Sequence, residues 1–171
     1  PLALSTSIKG LTTIFNTPKI FVGSNVFPEG MAIGPSTMDA LAGRCAKKRA
    51  LIVTDDFSKR YVKKITPFLE NGGFTHETWA KCLPEAPIEN VTECGEAMKA
   101  FEPDLIMALG GGSVMDTAKV ANVLAVKGGR VRDHMGAYLL GESRLLPLIL
   151  IPTTAGTGSE VTKVAVIADP E

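Results

Sequence analysis

A chain of 171 residues with 45% hydrophobic and 21% charged content can bury one good core and has the make-up of an ordinary globular domain. Its 18 basic and 18 acidic residues cancel to zero net charge with no long run of either sign, which argues against nucleic acid or an anionic membrane surface as a partner. No apolar run approaches the roughly 18 residues needed to span a bilayer and the N-terminus lacks a signal-peptide pattern, so the expected location is the cytoplasm.

Residues 11–26 alternate short apolar groups with turn formers around Asn16 and Pro18, predicting a short hairpin. Residues 35–48 carry Met38, Leu41, Ala42 and Cys45 at helical intervals, with Pro35 suited to a first turn. Residues 49–55 read as a buried strand ending in Thr54 and Asp55. Over residues 57–71, Tyr61, Val62, Ile65, Phe68 and Leu69 share a helical face. Pro67 inside that pattern predicts a kink or a division, and Asn71-Gly72-Gly73 predicts a stop. Residues 74–80 alternate as a strand, and residues 83–87, with Pro84 and Pro87, form a loop. Residues 88–101 form a helix with Val91, Cys94, Gly95, Met98 and Phe101 on one side.

Residues 104–109 are an apolar strand that runs into Gly110, Gly111 and Gly112. Residues 113–126 then have helical spacing and stop at Gly128-Gly129. Residues 130–146 are weakly patterned, with a short helix placed near 131–135. A buried strand over 147–151 leads into Pro152-Thr153-Thr154-Ala155-Gly156-Thr157-Gly158-Ser159-Glu160, and residues 161–168 read as a closing strand. Cys45, Cys82 and Cys94 are odd in number and lack metal-ligand spacing, so reduced thiols are expected.

Strands alternating with helices imply a parallel sheet covered on both faces, in which ligands sit beyond the carboxyl ends of the strands. Asp55, the glycine turn and the Thr153 to Ser159 loop all fall at those ends. Gly111, Gly112 and the amide of Ser113 suit a pyrophosphate, which needs several aimed N–H donors and no side-chain bulk. The alternative is an ordinary cap, with Ser113 as N-cap and Asp116 at the third helical position. Asp55 suits the adenosine ribose hydroxyls and would repel a 2′-phosphate, favouring NAD over NADP; its alternative is to cap the helix near Phe57. Thr153, Thr154, Thr157 and Ser159 offer hydroxyls to a ribose or nicotinamide, or to the loop's own backbone. The order is not the usual Rossmann fingerprint, in which the acidic residue follows the glycines by about 20 positions. Here Asp55 precedes them.

The run Gly110-Gly111-Gly112-Ser113-Val114-Met115-Asp116-Thr117-Ala118-Lys119, followed by Ile151-Pro152-Thr153-Thr154-Ala155-Gly156-Thr157-Gly158-Ser159-Glu160-Val161-Thr162, resembles the iron-containing (group III) alcohol dehydrogenases. The opening hairpin, Leu51-Ile52-Val53-Thr54-Asp55 and the Pro84 loop are similar in order and spacing, so the resemblance covers essentially the whole chain. It implies an NAD-dependent, metal-assisted enzyme that transfers hydride between a primary alcohol or diol and NAD, with the aldehyde as the other partner. The implied NAD site is Asp55, Glu85 (where members often carry Asn), Gly111, Gly112, Ser113, Val114, Met115, Asp116, Thr153, Thr154, Ala155, Gly156, Thr157, Ser159 and Val164. Asp116 and Lys119 also have a capping and packing reading.

The resemblance further implies a second, all-helical half that supplies an Asp and three His to iron or zinc and lies beyond the end of this chain. Residues 1–171 are therefore expected to be a truncated, Rossmann-like α/β dinucleotide-binding domain with no catalytic or metal residue of its own, inactive alone. His76 and His134 lack the spacing of a ligand set. Glycerol dehydrogenase and maleylacetate reductase relatives remain alternatives, as does a non-catalytic nucleotide-binding module. The expected partners are a small alcohol or aldehyde and further copies of the chain, in a homodimer or larger homo-oligomer, with the free edge of the opening hairpin as the pairing surface.

Overall fold

The structure, a computed structural model, describes residues 45–135 and 145–169. The hairpin expected over residues 11–26 and most of the helix expected over 35–48 lie outside them, and residues 45–48 are not helical. Strands β1 (Arg49–Thr54), β2 (Thr75–Trp79), β3 (Leu105–Gly110) and β4 (Leu148–Pro152) form a parallel sheet in the order β2-β1-β3-β4. A 3-10 turn over Ser58–Tyr61 leads into helix α1 (Val62–Asn71), and helices α2 (Ile88–Phe101) and α3 (Gly112–Lys127) follow. A second 3-10 turn occupies Val131–His134, where a short helix is expected from the sequence. No described helix is long and apolar enough to cross a membrane.

Burial on both faces explains why β1 and β3 read as continuous apolar runs. Ala50, Ile52, Leu105, Met107 and Leu109 point to one side and pack with Ile65, Phe68 and Leu69 of α1 and with Phe74. Leu51, Val53, Ile106 and Ala108 point to the other and meet Cys94 and Met98 of α2 and Val114, Met115, Ala118 and Ala121 of α3. At the amino end of the sheet, the carboxylate of buried Asp104 accepts the backbone N–H groups of Lys47, Lys48 and Arg49. That joins the entry of β1 to the entry of β3.

Two expectations need correction. Pro67 does not divide its helix: α1 runs from Val62 to Asn71 through it. The carbonyl of Lys63, which loses its i+4 donor, belongs to an exposed residue as Pro67 does, so water can replace the bond. Residues 161–168 are not a strand. Their only ladder contact among the described residues is an isolated parallel bridge from Ala168 to Pro87.

The sheet order fixes where a ligand can lie. The chain steps outward from β1 to β2, crosses back past β1 to β3, and continues to β4. The reversal opens a crevice between the carboxyl ends of β1 and β3.

Candidate dinucleotide site

Asp55 follows β1 and Gly110 ends β3, so both stand at that crevice. Thr54 Oγ1 donates 2.7 Å to the carbonyl of Leu109 and ties the two strand ends together. A Cβ built on Gly110 would lie 2.5 Å from Val114 Cγ2 and 3.1 Å from Asp55 Oδ2. Glycine is needed there because the helix and the carboxylate crowd the strand end. Asp55 Oδ1 accepts the N–H of Ser58, and its Oδ2 accepts the Ser58 hydroxyl at 3.1 Å. Asp55 thus closes the turn that leads into the 3-10 segment, rather than serving as its N-cap, a place taken by Phe57 without a side-chain cap bond. Buried Ser58, which sequence reasoning missed, also places its Oγ 3.3 Å from Thr153 Oγ1 and so links the β1 turn to the loop after β4.

Helix α3 begins without a side-chain cap: its N-cap is Gly111, in extended backbone. The capping arrangement of Ser113 with Asp116 does not form. Ser113 Oγ instead accepts the backbone N–H of Glu85 at 3.0 Å. The Asp116 carboxylate accepts the Ser159 hydroxyl at 2.6 Å and the Val166 N–H at 3.0 Å, with Lys119 Nζ at 3.2 Å. The first turn of α3 therefore carries its positive dipole end and N–H donors without a side chain spent on them.

The loop after β4 forms the opposing side. Thr153 donates its N–H to the carbonyl of Gly110 at 2.9 Å, which carries the sheet pairing one residue past β4. A Cβ on Gly111 would stand 3.1 Å from Thr154 Oγ1, and one on Gly112 would stand 3.4 Å from Thr157 Cβ. Thr154 and Thr157 thus face the glycines directly. Ala155 and Gly156 form the exposed tip, where Gly156 takes φ +90°.

Beyond Ser113, a cleft of about 390 Å³ is lined by Glu85, Gly112, Ser113, Asp116, Val166, Ile167 and Ala168. Glu85 and Ala86 both hold left-handed backbone, φ 63° and 49°, and their carbonyls accept the N–H of Ala168. Of the other implied site residues, Val114 and Met115 are buried, so only their backbone can meet a ligand, and Ser159 is buried against Asp116. Val164 is exposed and gives its carbonyl to Lys119 Nζ at 2.8 Å. Val166, Ile167 and Ala168 were not anticipated as lining residues; their only sequence signal was an apolar alternation that reads as a strand.

Cys82, in the core beneath Asp55, has its thiol pushed up to about 12, first by burial and then by the Asp55 charge. Burial also raises Cys94. Among the described residues no group of three or more His, Cys, Asp or Glu could hold a metal ion. His76 pairs with Glu70 at 3.3 Å, and His134 Nε2 lies 2.8 Å from the Gly128 carbonyl. Bare amides at an uncapped helix start, with space that a Cβ would fill, fit a diphosphate group.

The profile described as iron-containing alcohol dehydrogenase matches residues 28–171. Long-chain-alcohol dehydrogenase 1 of Geobacillus thermodenitrificans is 38% identical over 155 residues, covering 84% of this chain and 38% of that protein. The NAD-dependent methanol dehydrogenase of Bacillus methanolicus is 34% identical over 147 residues, covering 83% of this chain and 38% of that protein. Among solved structures, an iron-containing alcohol dehydrogenase from Thermotoga maritima superposes with a TM-score of 0.66 at 31% identity, over 84% of this chain and 41% of that one. The chain thus spans about two fifths of the length of these relatives.

Proposed function

Since the chain belongs to the iron-containing alcohol dehydrogenase family, we propose that its described residues are the dinucleotide-binding part of a metal-dependent alcohol dehydrogenase specific for NAD. The observation that carries this reading is the uncapped, side-chain-free start of α3 at the crevice between β1 and β3. Gly111, Gly112 and the Ser113 amide seat the pyrophosphate, and the α3 dipole offsets its charge. Asp55, held by Ser58, accepts the adenosine ribose hydroxyls and disfavours a 2′-phosphate. Thr153, Thr154, Ala155, Gly156 and Thr157 close the opposite side. Glu85, Asp116, Ser159 and Val164 shape the neighbouring cleft and its frame. NAD as the cofactor is in keeping with the methanol dehydrogenase of Bacillus methanolicus, whose name states NAD dependence.

NAD supplies the hydride acceptor, and this chain's residues bind and orient it. The described residues do not fit iron or zinc, so we assign the metal ligands to the further length that the relatives possess. The reaction proposed for the whole protein is oxidation of a primary alcohol or diol to the aldehyde and its reverse. We place that protein in the cytoplasm, a compartment in keeping with the buried thiols of Cys82 and Cys94, and assign it a homo-oligomeric state.

The test is a fluorescence titration of the chain with NADH and, separately, NADPH. Saturable NADH binding with weaker NADPH binding is expected. Absence of NADH binding by a folded chain removes the reading, and equal affinities remove its Asp55 component.

A further inference from the structure

After β4 and its loop, residues 159–169 cross the amino-terminal half of α3 as a strap without regular secondary structure of its own, and Val166, Ile167 and Ala168 from it line one side of the cleft. Its far end is well fixed. Ala168 donates to the carbonyl of Glu85, Ile88 donates to the carbonyl of Ala168 at 3.1 Å, and Arg132 makes a bidentate pair with Asp169 at 2.9 and 2.7 Å. Its near end is tied to α3 by side chains of that helix, and one cation gathers most of those contacts. Lys119 Nζ donates to Ser159 Oγ at 2.7 Å, to the Val164 carbonyl at 2.8 Å and to Thr162 Oγ1 at 3.4 Å. The same ammonium sits 3.2 Å from Asp116 Oδ1, and Asp116 in turn holds Ser159 and the Val166 amide.

We propose that Lys119 is the positioning residue of the cleft that shares Gly112 and Ser113 with the pyrophosphate seat, holding the strap from Ser159 to Val166 so that the cleft wall stands closed against the start of α3. This rests on the dinucleotide reading above. The side chains of Lys119 and Asp116 are only 12% and 11% exposed, so the pair is shielded from the screening that makes surface ion pairs weak. Four acceptors, three on the strap and Asp116 Oδ1, share the three N–H donors of one ammonium, so that nitrogen has none left to offer a ligand. Lys119 therefore acts on the cofactor through the strap. Ser159 belongs to the same device: its hydroxyl is spent on Asp116, and its oxygen receives Lys119.

The experiment compares the chain with Lys119→Met, Ser159→Ala and the double variant by two readouts, NADH titration and amide hydrogen exchange. If losing Lys119 leaves the strap closed about a tenth of the time, apparent NADH affinity falls about tenfold, because binding is reduced by the competent fraction. Exchange at residues 159–166 speeds up in Lys119→Met without ligand, while β1 and β3 amides keep their protection. Saturating NADH restores the strap's protection, since the ligand favours the closed state. The double variant is no weaker than Lys119→Met, as expected for residues acting through one contact set.

Unchanged exchange at 159–166 in Lys119→Met overturns the proposal, as does accelerated exchange with unchanged NADH affinity. Acceleration spread over β1 and β3 also overturns it, by showing a general loss of stability. If the parent chain binds no NADH, the dinucleotide reading falls and takes the cofactor role of Lys119 with it; that outcome is read from the unsubstituted chain and is distinct from the others.

Discussion

Gly110 and Gly112 are separated by one residue, yet a methyl group at each should have opposite consequences. A Cβ on Gly112 stands 3.4 Å from Thr157 Cβ and 3.5 Å from Thr157 Cγ2, ordinary contacts that require nothing to move. Because Gly112 opens α3, Gly112→Ala also removes backbone freedom from the unfolded chain, a gain of up to about 1 kcal/mol. The same methyl fills the space between α3 and the Thr157 loop in which a pyrophosphate would seat. We expect Gly112→Ala to be as stable as the parent or slightly more so, and to bind NADH at least about tenfold more weakly, a loss of roughly 1.4 kcal/mol or more. Gly112→Val should nearly abolish binding.

A Cβ on Gly110, by contrast, lies 2.5 Å from Val114 Cγ2 and 2.7 Å from Val114 Cβ. Carbon pairs settle at about 3.5–4.0 Å, so α3 must retreat from β3. Overpacking of this kind costs about 1–3 kcal/mol. Adding Val114→Ala should rescue only part of that cost, because the 2.7 Å contact is to Cβ itself. Urea unfolding followed by the fluorescence of Trp79, the single tryptophan, measures the stabilities, and NADH titration measures binding. A folded Gly112→Ala with undiminished NADH affinity would refute the pyrophosphate seat. A Gly110→Ala variant as stable as the parent would refute the close approach of α3 to β3.

Asp55→Ala should raise NADPH binding relative to NADH and, by releasing the Ser58 amide, cost about 1 kcal/mol of stability; an unchanged cofactor ratio takes Asp55 out of the site. Asp104→Ala strips the acceptor from three backbone amides far from the cleft, so a loss of roughly 3 kcal/mol in urea unfolding with unchanged NADH affinity is expected. Cys82 supplies an alkaline test. With its folded thiol raised from 9.0 to about 12, the unfolded chain releases the proton first, so the stabilisation is complete below pH 9 and is lost as pH rises towards 12. The stability difference between the parent and Cys82→Ala should therefore shrink by about 1.4 kcal/mol per pH unit from pH 9 upward, as followed by urea unfolding at several pH values. A difference that stays flat over that range refutes the buried thiol.

Local patterns carried most of the architecture into the sequence. β1, β3, α2 and α3 could be read because two-sided burial and helical spacing leave signals within a few residues of one another, and the glycines marked the β3 to α3 turn by composition alone. The strap over residues 159–169 could not be read that way. Its apolar alternation suggests a strand, but its backbone is satisfied by Asp116 and Lys119 on α3, partners about 45 positions away that look like ordinary solvated helix residues in isolation. Asp55 shows a related limit. The carboxylate that closes the Ser58 turn is also the one that stands at the crevice, a coincidence that no pattern within a few residues of Asp55 announces. Ser58 gave no signal at all, because a serine in a turn is unremarkable until a threonine from another loop arrives beside it.

The left-handed backbone at Glu85 and Ala86 bears on how this loop can vary by descent. Side chains with a Cβ resist that conformation by roughly 1–2 kcal/mol, and only glycine, asparagine and aspartate enter it readily. Glu85 holds that conformation against a handicap that the Ser113 and Ala168 hydrogen bonds offset. Branched residues such as valine or isoleucine at this position would be disfavoured by main-chain geometry before any question of cofactor affinity arises, so the shape of the loop constrains the residue there as much as the chemistry of the ligand beside it does.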